Sequence, residues 1–252
     1  MSYFRLDGER ALILGAGGIG GAIAKAVAES GAEVVIADVS RQNLEQVEHE
    51  IHAIGGNVHI IETQITNRDD VVALYQKVQQ VLPNITLSVN SIGLNAMNPA
   101  VEIQEEDWSR VIDGFLSNLF WSNQQAAKIM LPQKRGKIVN LASMSGVVVT
   151  GNRGSSYAAA KAGVIHLTRA LASEWIGEGV YVNAISPGTV DTPLTAGFLQ
   201  NPAIRQEISA QVPLGRVAVP ADIVGPALFL LSQESNYVVG HNLIVDGGYT
   251  IR

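Results

Sequence analysis

Residues 10–38 read RALILGAGGIGGAIAKAVAESGAEVVIAD. This stretch holds an apolar run, a glycine-rich turn, an alanine-rich segment that stops at Gly31, and a second apolar run that ends at Asp38. Short apolar runs rich in Val and Ile are typical of strands covered on both faces. A glycine directly after an amphipathic segment favours a helix end at that point. The stretch therefore predicts a strand–helix–strand unit of a parallel sheet.

The same alternation continues along the rest of the chain. The predicted strands are 10–14, 33–37, 58–61, 85–89, 137–141, 180–185 and 242–245. The predicted helices run from after Gly20 to Gly31, over 41–54 and 68–82, from about 105 to just before Pro132, and over 155–176. This order predicts one α/β domain over residues 1–252, a Rossmann-type doubly wound parallel sheet with helices on both faces. The irregular stretch after the sixth strand predicts a substrate flap at about 189–213.

Composition excludes several classes of function. The chain has 252 residues, a net charge of −6 and no cysteine, and its pI is near 5.4. Scattered Lys and Arg in an acidic chain argue against nucleic-acid binding, and no apolar run approaches the ~20 residues of a membrane span. The charged start does not resemble a secretion signal, and the histidines lack metal-ligand spacing such as H-E-x-x-H. We therefore expect a soluble cytoplasmic protein without a metal, a nucleic-acid partner or a membrane.

The glycine-rich turn predicts a dinucleotide site. Gly15-Ala16-Gly17-Gly18-Ile19-Gly20 follows a strand and opens a helix, so backbone N–H groups can approach a pyrophosphate at the positive helix end. Asp38 ends the next strand, where a carboxylate would hold the ribose hydroxyls and repel a 2′-phosphate. The following residue is Val39 and not a compensating Arg, although Arg41 is a rival phosphate partner. The pattern favours NAD over NADP.

A Tyr–Lys pair predicts acid–base chemistry. Tyr157 and Lys161 lie four residues apart, which places them on one face of a helix. An ammonium about 4 Å from the phenol, at an effective dielectric of about 20, is worth roughly 4 kcal/mol. We therefore expect Lys161 to lower the pKa of Tyr157 from its usual value near 10. Ser143, at the end of the preceding strand, would orient a substrate oxygen.

Several motifs in this order and spacing resemble the short-chain dehydrogenase/reductase family, and the resemblance covers nearly the whole chain. Its appearance is nearest to the bacterial polyol, or sugar-alcohol, dehydrogenases. The motifs are GAGGIG with Asp38, VNSIG at 89–93, IVNLAS ending at Ser143, YAAAK at 157–161, VNAISPGTVDT at 182–192, PLGR at 213–216 and VDGGYT at 245–250.

The resemblance implies hydride transfer between NAD(H) and a small secondary alcohol or ketone. By it, Ser143, Tyr157 and Lys161 are the catalytic residues, and Ser143, Ser145 and Tyr157 contact the substrate. The implied cofactor-binding residues are Gly15, Gly17, Gly18, Ile19, Gly20, Asp38, Gln64, Ile65, Asn90, Gly93, Tyr157, Lys161, Pro187, Gly188, Val190 and Thr192. The family also implies a homotetramer. Apolar flap residues would close over the substrate: Leu194, Phe198 and Leu199.

The chain departs from the family pattern at informative places. Leu14 replaces a Thr and the glycine loop is one residue shorter. Gln64 stands where the family has Asp. Phe115 stands where the family carries a catalytic Asn that anchors a water, and Asn118, one turn further on, is a candidate substitute. Two loop residues, Asn152 and Arg153, are predicted to border the substrate pocket.

Two alternatives stay open. One is a 3-oxoacyl-type carbonyl reductase that uses NADPH, against which Asp38 and Val39 argue. The other is a non-catalytic NAD(H)-binding protein, suggested by Phe115 and by the altered glycine loop. The intact set of Ser143, Tyr157 and Lys161 favours an enzyme over a pure binder.

Overall fold

The computed structural model describes residues 3–93, 99–151 and 154–252. Within them, seven strands form one parallel sheet in the order β3-β2-β1-β4-β5-β6-β7. The strands are β1 Arg10–Leu14, β2 Glu33–Asp38, β3 Val58–Glu62, β4 Leu87–Asn90, β5 Gly136–Leu141, β6 Val180–Pro187 and β7 Asn242–Val245. The predicted single-domain, doubly wound parallel sheet is therefore confirmed.

Helices cover both faces of the sheet. They are α1 Ile19–Glu29, α2 Arg41–Ala53, α3 Arg68–Val81, α4 Glu105–Ile112, α5 Asn118–Gln133, α6 Ser155–Trp175, α7 Pro193–Leu199, α8 Pro202–Ala210 and α9 Ala221–Leu231. Successive strand residues point to opposite faces, so Ile13 packs under α1, α2 and α9 while Leu12 packs under α3, α5 and α6. This alternation explains why the strand sequences are apolar throughout.

The long predicted helix differs from a single regular helix. Between α4 and α5 the backbone forms a π-helical segment, Asp113–Ser117, which is a feature often found at functional sites. The helix also does not stop before Pro132. This residue lies in the last turn, and the chain leaves the helix at Lys134, whose φ of 51° is left-handed. A proline so near the end removes only one backbone hydrogen bond.

Sequence reasoning assigned no structure to α9 and predicted an irregular flap where α7 and α8 lie. Gly225 and Pro226 disfavour a helix interior, yet α9 forms because Ile223, Ala227 and Leu230 are buried against the sheet and α1. Asn152 and Arg153 lie outside the described residues. None of the helices in the described part of the chain has the length and apolar character needed to span a bilayer.

Candidate active site

The predicted site residues follow the carboxyl ends of the parallel strands. β1 lies between β2 and β4, so the chain order reverses direction at β1. In open α/β sheets ligands bind at such a switch point, outside the carboxyl ends of the strands. The glycine loop after β1 and the residues after β4 and β5 meet at this edge.

The glycine loop forms a cradle at the start of α1. Gly18 has a φ of 50°, and no side chain of the described residues caps the helix, so uncapped backbone N–H groups at the start of α1 can bind an anion. A Cβ on Gly18 would lie 2.7 Å from Cγ2 of Thr192. A Cβ on Gly15 would lie 2.5 Å from the carbonyl oxygen of Ser91. The loop therefore needs glycine at both positions, and glycine there leaves its backbone open to the approach of a phosphate group.

Asp38 lies beside this loop and is held by it. Its Oδ2 accepts a hydrogen bond from the Ala16 N–H at 2.6 Å, and its Oδ1 accepts one from the Ser40 N–H at 2.7 Å. The carboxylate is thus fixed at the end of β2. Arg41 does not face it as a free cation, because its Nε donates to Oε1 of Glu45 at 2.8 Å. This hydrogen bond, followed by the charge of Glu45, raises the pKa of Arg41.

Other predicted cofactor residues occupy the same edge. Gln64 is exposed and Ile65 is half-buried after β3. Gly93 approaches the flap, because a Cβ there would lie 3.1 Å from Cδ2 of Leu194. Pro187 and Gly188 end and follow β6, and Val190 is buried. Thr192 begins α7 through a capping box and lies next to Gly18.

Asn90 is buried in a polar network that sequence reasoning missed. Its Oδ1 accepts from Ser122 Oγ at 2.6 Å, and its Nδ2 donates to Oδ1 of Asn140 at 2.9 Å. The Asn140 amide in turn bonds Asn123 and Thr168. The sequence signal for this network was the presence of Asn90 and Asn140 in otherwise apolar strands. The network ties β4 and β5 to α5 and α6, and so fixes the strand ends that carry the site.

The three predicted catalytic residues lie together. Ser143 follows β5, and Tyr157 and Lys161 share one face of α6. The Tyr157 phenol lies close enough to the Ser143 hydroxyl for that hydroxyl to influence its pKa. The Lys161 Nζ lies 5.8 Å from the centroid of the Tyr157 ring and donates to the carbonyl oxygen of Leu141 at 2.6 Å. Lys161 is 4% exposed, so its ammonium is almost completely removed from water.

Burial controls the protonation of both residues. Burial raises the pKa of Tyr157, and the Ser143 hydroxyl opposes this effect only in part. Burial also lowers the pKa of Lys161 to about 7. The expectation of a lowered Tyr157 pKa is therefore wrong for this structure, because desolvation disfavours the phenolate and also weakens the lysine charge meant to stabilise it.

Comparison with known proteins decides the family. A family model described as enoyl-(acyl carrier protein) reductase matches residues 15–250. A galactitol 2-dehydrogenase (L-tagatose-forming) of Cereibacter sphaeroides is 38% identical over 252 residues, which are 99% of this chain and 98% of that protein. The chain belongs to the short-chain dehydrogenase/reductase family. The predicted resemblance is thus confirmed, and the protein is an oxidoreductase.

Other members of the short-chain dehydrogenase/reductase family that are similar to this chain have different named activities. A 3-oxoacyl-[acyl-carrier-protein] reductase of Thermotoga maritima is 37% identical over 98% of this chain and 100% of its own. A crystal structure from Beutenbergia cavernae, described as an NAD(P)-dependent gluconate 5-dehydrogenase, has a TM-score of 0.94 and 35% identity, covers both chains fully, and holds NADP at low occupancy.

The sequence predicts a departure from the family pattern at Phe115. The residue lies in the π-helical segment and is buried against Tyr157, with ring centroids 5.1 Å apart and planes at 80°. The candidate substitute Asn118 is buried at the start of α5. It does not line the small cavity beside Lys161. That cavity is lined by Asn90, Ile92, Gly114, Phe115, Leu119, Leu141 and Lys161.

On the predicted substrate side of the site, Ser145 already forms hydrogen bonds with other groups of the protein. Ser145 Oγ lies 2.7 Å from Thr150 Oγ1, and its backbone N–H donates to Ser143 Oγ at 3.1 Å. In the flap region, Arg205 of α8 forms an ion pair with Asp191 and donates to the carbonyl oxygen of Leu199 at 3.2 Å. Within the predicted flap, this pair connects α8 to the segment that carries Val190 and Thr192.

Proposed function

We propose that the protein is an NAD-dependent dehydrogenase that interconverts a small secondary alcohol, a polyol or sugar alcohol, with the matching ketone. One observation carries the proposal. Ser143, Tyr157 and Lys161 lie together after β5, at the same edge of the sheet as a glycine cradle shaped for a dinucleotide. Acid–base and cofactor sites on one edge are what reversible hydride transfer requires.

Each residue has a defined task in this proposal. Ser143 orients the substrate oxygen through its hydroxyl. Tyr157 removes the alcohol proton during oxidation and returns it during reduction. Lys161 stays close to the phenol and, when charged, favours its ionised form. The glycine cradle and Asp38 would hold the pyrophosphate and the adenosine ribose of the dinucleotide, whose nicotinamide would supply the hydride chemistry.

The raised pKa of Tyr157 predicts how the rates of oxidation and reduction depend on pH. The protonated phenol is the form that donates to a ketone, and it predominates at neutral pH. Alcohol oxidation needs the phenolate, so its rate should rise as pH increases above neutrality, while ketone reduction is favoured near pH 7.

The residues around the adenosine ribose position support NAD over NADP. Asp38 is fixed by two backbone N–H groups, so it cannot move aside without loosening the glycine loop. Arg41 is occupied by Glu45, and the charges of Glu62 and Glu48 also act on it. A 2′-phosphate would therefore meet a fixed carboxylate and an already paired arginine.

The cofactor proposal predicts the effect of Asp38→Asn. This change removes the negative charge but keeps an oxygen for the Ala16 N–H. We expect the ratio of kcat/KM for NAD⁺ to that for NADP⁺ to fall about 10- to 100-fold, as lost repulsion of 1.4 to 2.7 kcal/mol would give. Steady-state kinetics with both cofactors measure it. A wild-type protein that already prefers NADP⁺ would overturn the NAD assignment.

The substrate class is supported by relatives and by the site. The Cereibacter relative is named for a polyol, and Ser145 lies beside Ser143, to whose hydroxyl its backbone N–H donates. We propose that Ser145 contacts a second substrate hydroxyl after exchanging its bond with Thr150. The competing candidate is a 3-oxoacyl-type reductase, which the Thermotoga relative favours.

One assay separates these activities. The purified protein is incubated with NAD⁺ or NADP⁺ and a panel of polyols and simple secondary alcohols, and in reverse with NADH or NADPH and ketones that include a 3-oxoacyl thioester. Absorbance of the reduced nicotinamide is followed. Preferred turnover of a polyol with NAD⁺ supports the proposal, whereas preference for the thioester with NADPH favours the reductase. Cofactor binding without turnover of any substrate would favour the non-catalytic binder.

The proposal also includes a substrate flap, a cellular location and an oligomeric state. The segment at about 189–213, which contains α7 and α8, acts as the substrate flap, and the Arg205–Asp191 pair joins α8 to the first residues of this segment. The protein acts in the cytoplasm as a homotetramer. Sedimentation of the purified protein tests the assembly.

A further inference from the structure

Phe115 contacts both members of the acid–base pair. Its ring centroid lies 4.6 Å from the Nζ of Lys161, within the ~6 Å range of a cation–π interaction. The same ring packs nearly perpendicular to that of Tyr157, a favoured arrangement for an aromatic pair. Phe115 is 3% exposed. One buried ring thus lies against the lysine and the tyrosine at the same time.

The local fold fixes this ring in place. The π-helical segment widens the helical backbone at Phe115. Because α6 has a glycine at position 163, this segment can pack closely against α6. A Cβ on Gly163 would lie 2.8 Å from Cδ2 of Leu116. Val111 of α4 and Ala160 of α6 belong to the same buried apolar cluster as the ring. The aromatic side chain is therefore held by close packing from both α4 and α6.

We propose that Phe115 is a positioning residue for the acid–base pair: its ring face stabilises the Lys161 ammonium, and its perpendicular contact holds Tyr157. This role rests on the function proposed above. It differs from the anchoring of a water by an amide, because a phenyl ring offers neither a hydrogen-bond donor nor an amide oxygen.

The surroundings of Lys161 leave the ring as a main source of stabilisation for its charge. Nζ has the Leu141 carbonyl as one hydrogen-bond acceptor, and no carboxylate acts on it among the residues that the structure describes. Tyr157 is the titratable side chain that faces it. The other charged side chains on elements packed against this part of α6 are exposed or half-exposed: Glu105, Glu106, Asp107, Arg110 and Asp113 on α4 and the π segment, Lys128 on α5, and Lys137 on β5.

The consequence is a measurable effect on the titration of Lys161. A buried ammonium is disfavoured by desolvation, and the negative face of an aromatic ring offsets part of that cost. Burial already lowers the pKa of Lys161, and removal of the ring should lower it further. Since a desolvated cation–π contact is a strong one, the expected shift is about one pH unit.

The test uses the full chain labelled with ¹³C,¹⁵N-lysine, without substrate or cofactor. NMR follows the Lys161 side-chain signal against pH, and the signal is assigned by its absence in Lys161→Met. In Phe115→Leu the midpoint should move down by about one unit. Pentafluorophenylalanine at position 115 keeps the shape but reverses the ring quadrupole, so it should shift the midpoint in the same direction.

The matched control is Phe120→Leu. Phe120 lies on the adjoining helix and packs against Trp121, so its loss should leave the Lys161 midpoint unchanged. An unchanged midpoint in the pentafluorophenylalanine protein, with a wild-type melting temperature, would overturn the inference. That result does not depend on turnover, so it is distinct from failure of the proposed function, in which the midpoint moves but no alcohol or ketone reacts.

Discussion

Tyr157→Phe should lower kcat for alcohol oxidation by about 10²- to 10⁴-fold, which is the usual contribution of a positioned acid–base group. The substitution removes one oxygen and leaves the ring that packs against Phe115. Cofactor binding should therefore persist, because the glycine cradle and Asp38 are unchanged. Initial rates and NADH fluorescence titration measure the two effects separately.

The matched control for this change is Tyr181→Phe. Tyr181 lies on β6, half-buried, with Lys137 over its ring, and has no part in the proposed chemistry. Its loss of a hydroxyl should leave kcat near the wild-type value. Wild-type turnover by Tyr157→Phe would show that another group moves the proton, and the acid–base assignment would be wrong.

Lys161→Met should lower kcat by about 10²-fold or more. The same change should stabilise the folded protein at pH 6. The pKa of Lys161 is lowered from 10.5 to about 7 by burial, and each pKa unit corresponds to about 1.4 kcal/mol. A buried ammonium therefore destabilises the native protein by a few kcal/mol, partly offset by its hydrogen bond to Leu141. Methionine has a similar shape without the charge.

The pH dependence of this stabilisation has a definite sign. Below pH 7 the lysine is charged in both the folded and the unfolded protein, so the destabilisation is fully present. Between pH 7 and 10.5 the unfolded chain binds more protons, so the wild-type stability rises with pH. The variant's advantage should thus be largest at pH 6, about 5 to 10 °C in melting temperature, and shrink towards pH 10. Scanning calorimetry measures it.

Lys137→Met provides the comparison for the lysine variant. Burial lowers the pKa of Lys137 to about 8, a smaller shift, and its Nζ bonds Ser232 and Ser235 far along the sheet from the glycine loop. Its removal should leave turnover intact. Equal melting temperatures for wild type and Lys161→Met at pH 6 and pH 10 would contradict the destabilising role of the buried ammonium.

Most of the fold follows from patterns that act locally. The predicted strands 10–14 and 242–245 match β1 and β7, and the others differ by at most two residues at either end. A strand covered on both faces must be apolar throughout, and that requirement is visible in the sequence. The exception, α9, carries Gly225 and Pro226, so only its burial against the sheet and α1 stabilises it as a helix.

The residues of the candidate site were predictable where backbone geometry demands a residue type. Gly18 has a positive φ and lies against Thr192, and such a position requires glycine. Tyr157 and Lys161 share a helix face because they are four residues apart. The Asn90–Asn140–Thr168 network was not predictable in this way, because its members come from three separate elements.

The sequence by itself determined the alternating α/β order, the glycine-rich turn and the candidate acid–base pair, since these depend on spacing and on local backbone constraints. Only the tertiary structure decided their electrostatics. Burial, which no local pattern measures, raised the pKa of Tyr157 and lowered that of Lys161. Likewise, the contact of Phe115 with both residues required a π-helical segment and the close approach of α6. Desolvation and packing depend on the whole chain, so they emerge only when it is folded.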